Sequence, residues 1–289
     1  MKFGLMTINM GLDSGNDMLA VAQAAEAAGF ESLWTAEHLM FPVDLQSSYP
    51  YTKDGKLPIP PETSMIEPFI ALAAIAAQTS KIRLGTGISL LAAHNPLVFA
   101  KQAASLDFVS GGRVILGVGL GWMREDFEMV KIPFKGRGAR LDDYITAIRK
   151  VWTGDTVEHE SEYLSWRGFK SYPLPIQPGG IPITIGGRGE KNFERVAKHR
   201  TGWFGPDCTL AELRNDLAQL RTICARNGRD FAEVEISVKR RDPAELDDLD
   251  ALKQFTELGV HRLWCSLFGS TAERIETIKR LSDHLIAQS

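Results

Sequence analysis

Residues 95–122 read NPLVFAKQAASLDFVSGGRVILGVGLGW, and this stretch contains one complete structural unit. Asn95-Pro96 is a helix opening: proline lacks an N–H that the first turn leaves unpaired anyway, and its φ is already helical. The pattern carries a helix to Val109, and Gly111-Gly112 ends it. Val114 to Val118 is then a short β-branched strand that runs out into glycines. Helix, glycine stop, apolar strand and glycine-rich strand end follow one another, and repetition of that order is the signal for a parallel sheet.

The same order repeats along the chain. Strand Lys2 to Ile8 is followed by a helix from Asn16 to Ala28 with Leu19, Ala22, Ala25 and Ala28 three apart, and Gly29 stops it. Strand Phe30 to Thr35 ends at Ala36-Glu37-His38, and 39–65 is a long insertion rich in Pro, Tyr and Ser. Helix Glu67 to Gln78 leads to strand Ile82 to Ile88. After the opening unit come a helix from Arg137 to Trp152 and a weakly alternating hairpin excursion, Thr156 to Tyr172. Strand Pro182 to Ile185, helix Glu190 to Lys198, strand Gly202 to Phe204 and helix Leu210 to Asn227 continue the series. Strand Val234 to Val238, helix Leu249 to Leu258, strand Arg262 to Cys265 and helix Ala272 to Ala287 close it.

The count is eight strands and eight helices. Ala27–Trp34 (AAGFESLW) resembles Glu257–Trp264 (ELGVHRLW): each is a helix end, a glycine and a strand ending at Trp. The similarity is local, without the period of a solenoid. A doubly wound sheet is the structural rival. Eight unbroken units favour closure into a (β/α)8 TIM barrel, with insertions after strands 2 and 4 (39–65 and 120–136) and the hairpin before strand 5. All 289 residues are expected to form one barrel domain, since such barrels routinely exceed ordinary domain size.

The balance of 33 Lys plus Arg against 36 Asp plus Glu gives a formal charge of −3 without charged blocks, which argues against a nucleic-acid or anionic-membrane surface. Three distant cysteines, with no C-x-x-C pair, fit neither a disulfide framework nor a zinc knuckle. The reading is a cytoplasmic protein. The N-terminal apolar run is broken by Thr7 and Asn9, so no signal sequence is expected, and the longest apolar stretch, Phe69 to Ala77, is too short to span a bilayer.

In a barrel the catalytic mouth lies at the carboxyl ends of the strands. His38 ends strand 2, where an imidazole can exchange protons near neutral pH or merely bond a loop carbonyl. Thr86-Gly87-Ile88 ends strand 3; glycine there permits close approach of a flat ring, or simply makes a turn. Gly117-Val118-Gly119-Leu120-Gly121 is not a dinucleotide fingerprint, because its spacing is G-x-G-x-G and no ribose-binding acid follows. It leaves bare backbone at Gly119 beside Trp122, Arg124, Glu125 and Asp126, a charged trio that also reads as a solvated helix start, above all at Asp126. Gly186-Gly187-Arg188-Gly189 joins a strand to a helix, so amides, a helix N-terminus and a guanidinium converge as an anion site suited to phosphate. No H-x-H, H-E-x-x-H or G-x-S-x-G motif appears, so no metal site and no serine nucleophile is expected. An external cofactor becomes the attractive alternative.

Taken together, Glu37-His38 after a strand, IRLGTGISLLAAHNP (82–96), GGRVILGVGLGWMREDF (111–127) and PITIGG (182–187) resemble the luciferase-like monooxygenase superfamily, in motif order over essentially the whole chain. Residues 49–69, Arg137–Asp142 (RGARLD) and Val151-Trp152-Thr153 look most like its coenzyme F420 branch. The resemblance implies that His38 is the catalytic histidine. It implies a cis peptide at Gly87-Ile88 behind the ring, contributions from Thr86 and Gly119, phosphate contacts from Gly186, Gly187 and Arg188, and Trp122 and Glu125 lining the ring site. One departure stands out: the proton-donating glutamate of the sugar-phosphate dehydrogenases aligns with Trp122, so a sugar phosphate is not expected. Trp122, Phe41, Met40 and Met123 suggest an apolar substrate wall or plain core. Luciferases carry a cysteine where Gly119 stands, so light emission is not expected either.

The resulting expectation is hydride transfer between the deazaflavin F420 and an apolar small molecule. The alternatives are an FMN-dependent monooxygenase fed by a separate flavin reductase, and a barrel that binds cofactor without catalysis. A homodimer is implied by resemblance.

Overall fold

The computed structural model describes residues 1–240 and 242–286. In chain order its elements are β1 Lys2–Met6, α1 Gly15–Ala27, β2 Ser32–Thr35, α2 Pro68–Gln78, β3 Arg83–Ser89, α3 Pro96–Val109, β4 Val114–Val118, α4 Arg124–Met129, α5 Arg137–Val151, β5 Val157–Glu160 and β6 Ser165–Phe169. They continue as β7 Ile183–Gly186, α6 Glu190–Lys198, β8 Gly202–Gly205, α7 Leu210–Arg226, β9 Ile236–Arg240, α8 Leu249–Glu257, β10 Arg262–Ser266 and α9 Thr271–Leu285. Eight strands close in the order β1-β2-β3-β4-β7-β8-β9-β10, and β10 returns to β1 with Lys2 beside Arg262. Every neighbouring pair in the barrel is parallel. Strands β5 and β6 form a separate antiparallel hairpin at the expected excursion.

Several expected boundaries move for local reasons. The Phe30 N–H bonds back to Ala25 O in the helix exit, so β2 begins at Ser32, two residues later than the pattern suggested. A single 3-10 turn, Phe231–Glu233, takes the Val234 N–H in the same way and delays β9. Strand β1 stops at Met6 because Thr7 adopts a φ of 63°. Helix α1 buries Met18 and Val21 together with Ala22 and Ala25 of the spacing read in sequence, and Leu19 and Ala28 of that spacing pack half-buried against the same core. The largest correction is 120–136: this stretch carries α4, so nine α-helices stand among the described residues. The expected end of the last helix, Ala287, lies outside them.

The barrel interior is aromatic. Trp34, Phe204 and Trp264 pack with Met6 and Ile115; Phe204 stacks on Trp264 at 4.2 Å and meets Trp34 at 5.2 Å. Indoles of that size fit only where facing strands lack side chains. A Cβ on Gly85 would lie 2.3 Å from Trp34 Cε3. At the opposite, amino-terminal end, the fully buried Arg262 guanidinium fills the barrel between Glu31, Glu235 and Ser237. Burial alone would raise the Glu31 carboxyl, but the adjacent guanidinium overrides it and holds it below the ordinary range. That end is therefore sealed by a paired charge, which leaves the carboxyl ends of the strands as the open face.

Candidate active site

The site is built from the end of β2. Asn9 grips Ala36 on both sides, its amide donating to Ala36 O and its carbonyl accepting the Ala36 N–H, each at 2.9 Å. With that point fixed, the next two side chains diverge. Buried Glu37 accepts the Leu90 N–H at 2.9 Å and pairs with His94 Nε2. His38 turns instead to α4, where Asp126 Oδ2 lies 2.8 Å from its Nδ1 and Asp126 Oδ1 accepts the Leu39 N–H at 3.1 Å. Asp126 is 1% exposed, so its reading as a solvated helix start is overturned. A carboxylate facing Nδ1 holds the neutral ring with its proton there, and the lone pair falls to Nε2.

Around His38 stand the rings of Phe41 at 5.5 Å and Trp122 at 5.6 Å, with Tyr49 in turn 5.1 Å from Trp122. The first two are half-buried, as is Met40, whereas Met123 is fully buried core. The Glu125 carboxylate has a different setting from the one the resemblance implied: it accepts the N–H groups of Gln46 and Ser47 and the Ser47 hydroxyl, in the insertion.

The end of β3 forms a shelf. The Gly87-Ile88 peptide bond is cis, and the register between β3 and β4 shifts between Thr86 and Ser89. The Ile88 side chain fills the space that glycine leaves on two neighbouring strands: a Cβ on Gly119 would lie 2.7 Å from Ile88 Cδ1, and one on Gly186 2.7 Å from Ile88 Cγ2. The bare backbone expected at Gly119 is thus covered by Ile88, itself half-buried and facing the aromatic cluster, and the same side chain packs against Gly186. Thr86 is fully buried and donates its hydroxyl to Gly117 O at 2.7 Å, so it ties β3 to β4 and presents no open face.

The turn from β7 to α6 keeps the features of an anion site. Gly187 has φ 111°, Gly189 has φ 94° and caps α6 without a side-chain acceptor. Buried Asn192 has no hydrogen-bond partner for its Nδ2, and its amide lies 3.7 Å from the Cβ position of Gly187. The N–H groups of Gly187 and Asn192 already donate to Phe204 O and Gly189 O, so the donor left without an acceptor is the buried Asn192 Nδ2 at the helix start, and an acceptor there is what a phosphate supplies. Arg188 is anchored on Asp216, with Nη2 to Oδ2 at 2.7 Å, so its charge is already largely matched.

Residues 1–281 match the family described as luciferase-like monooxygenase. An uncharacterised protein of Mycobacterium tuberculosis is 34% identical over 272 residues, covering 93% of this chain and 92% of its own. The chain belongs to the luciferase-like monooxygenase family. Two further relatives of this family match in part. The flavin-dependent trigonelline monooxygenase oxygenase component of Acinetobacter baylyi is 29% identical over 62% of this chain and 45% of its own. The F420-dependent hydroxymycolic acid dehydrogenase of M. tuberculosis is 28% identical over 65% and 48%. Among solved structures, the F420-dependent tetrahydromethanopterin reductase of Methanopyrus kandleri superposes with a TM-score of 0.78 at 16% identity, covering 99% of both chains. The luciferase-like barrel is therefore an oxidoreductase scaffold with F420- and flavin-dependent relatives.

Sequence reasoning missed three residues of this luciferase-like site. Asp126 and Asn192 are acidic or polar residues in the first turns of helices, where such residues are normally solvated. Glu37 was quoted in a motif without a role. Among the described residues no helix is long and apolar enough to cross a membrane, and no group of three or more potential metal ligands occurs.

Proposed function

We propose that this chain moves a hydride between coenzyme F420 and an apolar organic substrate, with His38 passing a proton to or from the adjacent substrate atom. The His38–Asp126 pair carries the reading. A buried carboxylate on Nδ1 leaves Nε2 as the exchangeable position, and a protein that only binds cofactor has no use for that arrangement. The deazaflavin, when bound, supplies a carbon hydride donor or acceptor that activates oxygen poorly.

This chain's own residues supply the rest. Ile88 would support the ring, Asn192, Arg188 and the start of α6 would hold the phosphate beside the side-chain-free Gly187, and Trp122 with Phe41 would exclude water beside His38. The family resemblance of residues 49–69 and 137–142 and the F420-dependent relative support the choice of cofactor. In the fold, Arg137 and Arg140 serve as scaffold, donating to the carbonyls of Leu120 and of Ala92 and Pro133. The flavin-dependent relative favours a second reading, reduced FMN supplied by a reductase partner.

Fluorescence titration of the purified chain with F420 and with FMN separates the two. Binding of F420 at least about tenfold tighter is expected, roughly 1.4 kcal/mol. Tight FMN binding without F420 binding would transfer the conclusion to the second reading.

A further inference from the structure

Helix α4 is six residues long, and its N-cap, Met123, offers no side-chain acceptor. The acceptor comes from the insertion instead. Ser47 Oγ accepts the Arg124 N–H at 3.0 Å, and Glu125 returns the contact: Oε1 accepts the Gln46 and Ser47 N–H groups at 3.0 Å, and Oε2 accepts the Ser47 hydroxyl at 2.6 Å. The arrangement works as a capping box, assembled from segments 77 to 79 residues apart. Burial tends to raise the Glu125 carboxyl, but the Ser47 hydroxyl and the backbone donors outweigh it and hold it below the usual range.

The adjacent residue of the same turn is Asp126, which holds Leu39 N–H and His38 Nδ1. The first turn of α4 therefore grips the insertion at its first residue and again at 46–47. Between and just beyond those grips lie Phe41 and Tyr49, the rings that contact His38 and Trp122. Residues 40–63 contain no helix or strand, and the bond from Tyr49 N–H to Gly55 O is internal to the segment. Nothing in their own regular structure would keep them seated.

We propose that Glu125 is a positioning residue that latches the insertion over the barrel mouth and, through the shared first turn of α4, keeps Asp126 against His38. This rests on the reading of His38 as the proton-handling residue, and it makes 39–65 a lid whose seating and the histidine's tautomer are coupled. The lid then sets which substrates reach His38 through Phe41, Tyr49 and Trp122.

The test needs neither cofactor nor turnover, so its failure is separate from failure of the proposed reaction. Trypsin cleavage at the exposed Lys53 and Lys56 reports lid seating, and 15N spectra of the histidine side chains, assigned with His38→Gln, report the tautomer of His38. Glu125→Ala and Ser47→Ala should each speed cleavage about tenfold and lower the Nδ1–H population, with thermal midpoints unchanged. Glu125→Gln, which retains an acceptor oxygen, should restore both in part. Faster cleavage with an unchanged His38 tautomer would overturn the coupling, and unchanged cleavage would overturn the latch.

Discussion

Asp126 Oδ2 meets His38 Nδ1 at 2.8 Å across 88 residues of chain, and the same carboxylate holds the N–H of Leu39. One buried acid thus fixes both the orientation of the imidazole and the path of the backbone that leaves it. Asp126→Asn keeps the size of the side chain but can turn an NH2 toward Nδ1, which would move the ring proton to Nε2. Steady-state turnover should fall by about 10²-fold or more, within the usual range for general acid–base groups, while cofactor affinity stays within about threefold. His38→Ala should lose at least as much. Wild-type turnover in Asp126→Asn would remove the carboxylate from the mechanism.

The phosphate turn makes a contrasting prediction for two residues only four apart. Arg188 already pairs with Asp216, whereas the Asn192 Nδ2 donor has no protein partner. A hydrogen bond to a charged acceptor contributes about 1.5 to 3 kcal/mol. Asn192→Ala should therefore weaken cofactor binding about tenfold or more, read by fluorescence titration, and weaken riboflavin, which lacks the phosphate, hardly at all. Arg188→Ala should cost less than Asn192→Ala. The reverse order would make the guanidinium, rather than the helix terminus, the main phosphate ligand.

What the sequence revealed, and what it hid, follows from the range of each interaction. Strand β4 and helix α3 were legible because a glycine stop, a proline opening and a run of β-branched residues act within a few positions. The mouth residue His38 was found because a strand end is local as well, whereas the role of Glu37 depends on Leu90 and His94, more than fifty residues away. Asp126 looked like the solvated start of a helix because its burial depends on His38, far back in the chain, arriving beside it. Gly119 was read as bare backbone for a ring and Gly186 as part of a phosphate turn. They are bare for Ile88, and that required knowing that β3 lies between β2 and β4 with a shifted register. Glu125 was placed in the ring site by family resemblance, which carries positions over without the direction each side chain takes. Successive residues on a short helix point about 100° apart, so Glu125 faces the insertion and Asp126 the histidine.

The outer faces of α2 and α3, which pack side by side, expose Ile70, Val98, Phe108 and Val109 at 54–67%. Exposed apolar side chains concentrated on adjacent helices favour association, and we propose that the homodimer implied by the family resemblance uses this face. Ile70→Glu combined with Val109→Glu should shift the mass found by light scattering from twice 32.0 kDa toward 32.0 kDa. A wild-type protein at 32.0 kDa across micromolar concentrations would remove the dimer.

The Glu37–His94 pair gives the stability of the mouth a defined pH dependence. Burial pushes the His94 imidazolium toward deprotonation, but the Glu37 hydrogen bond and the charges of Glu37 and Glu67 outweigh it, so its pKa lies above the ordinary value. A group raised in the folded state stabilises fully below its unfolded value, about 6.5, and loses that contribution as pH rises through the folded value. The difference in melting temperature between wild type and His94→Gln should accordingly be largest in mildly acidic buffer and shrink as the solution becomes alkaline. Because the same Glu37 carboxylate holds the Leu90 N–H, two residues beyond Ile88, cofactor affinity should weaken over the same rise in pH in the wild type and change less in the variant. A difference in melting temperature that stays constant or grows with pH would show that His94 is not held protonated by Glu37.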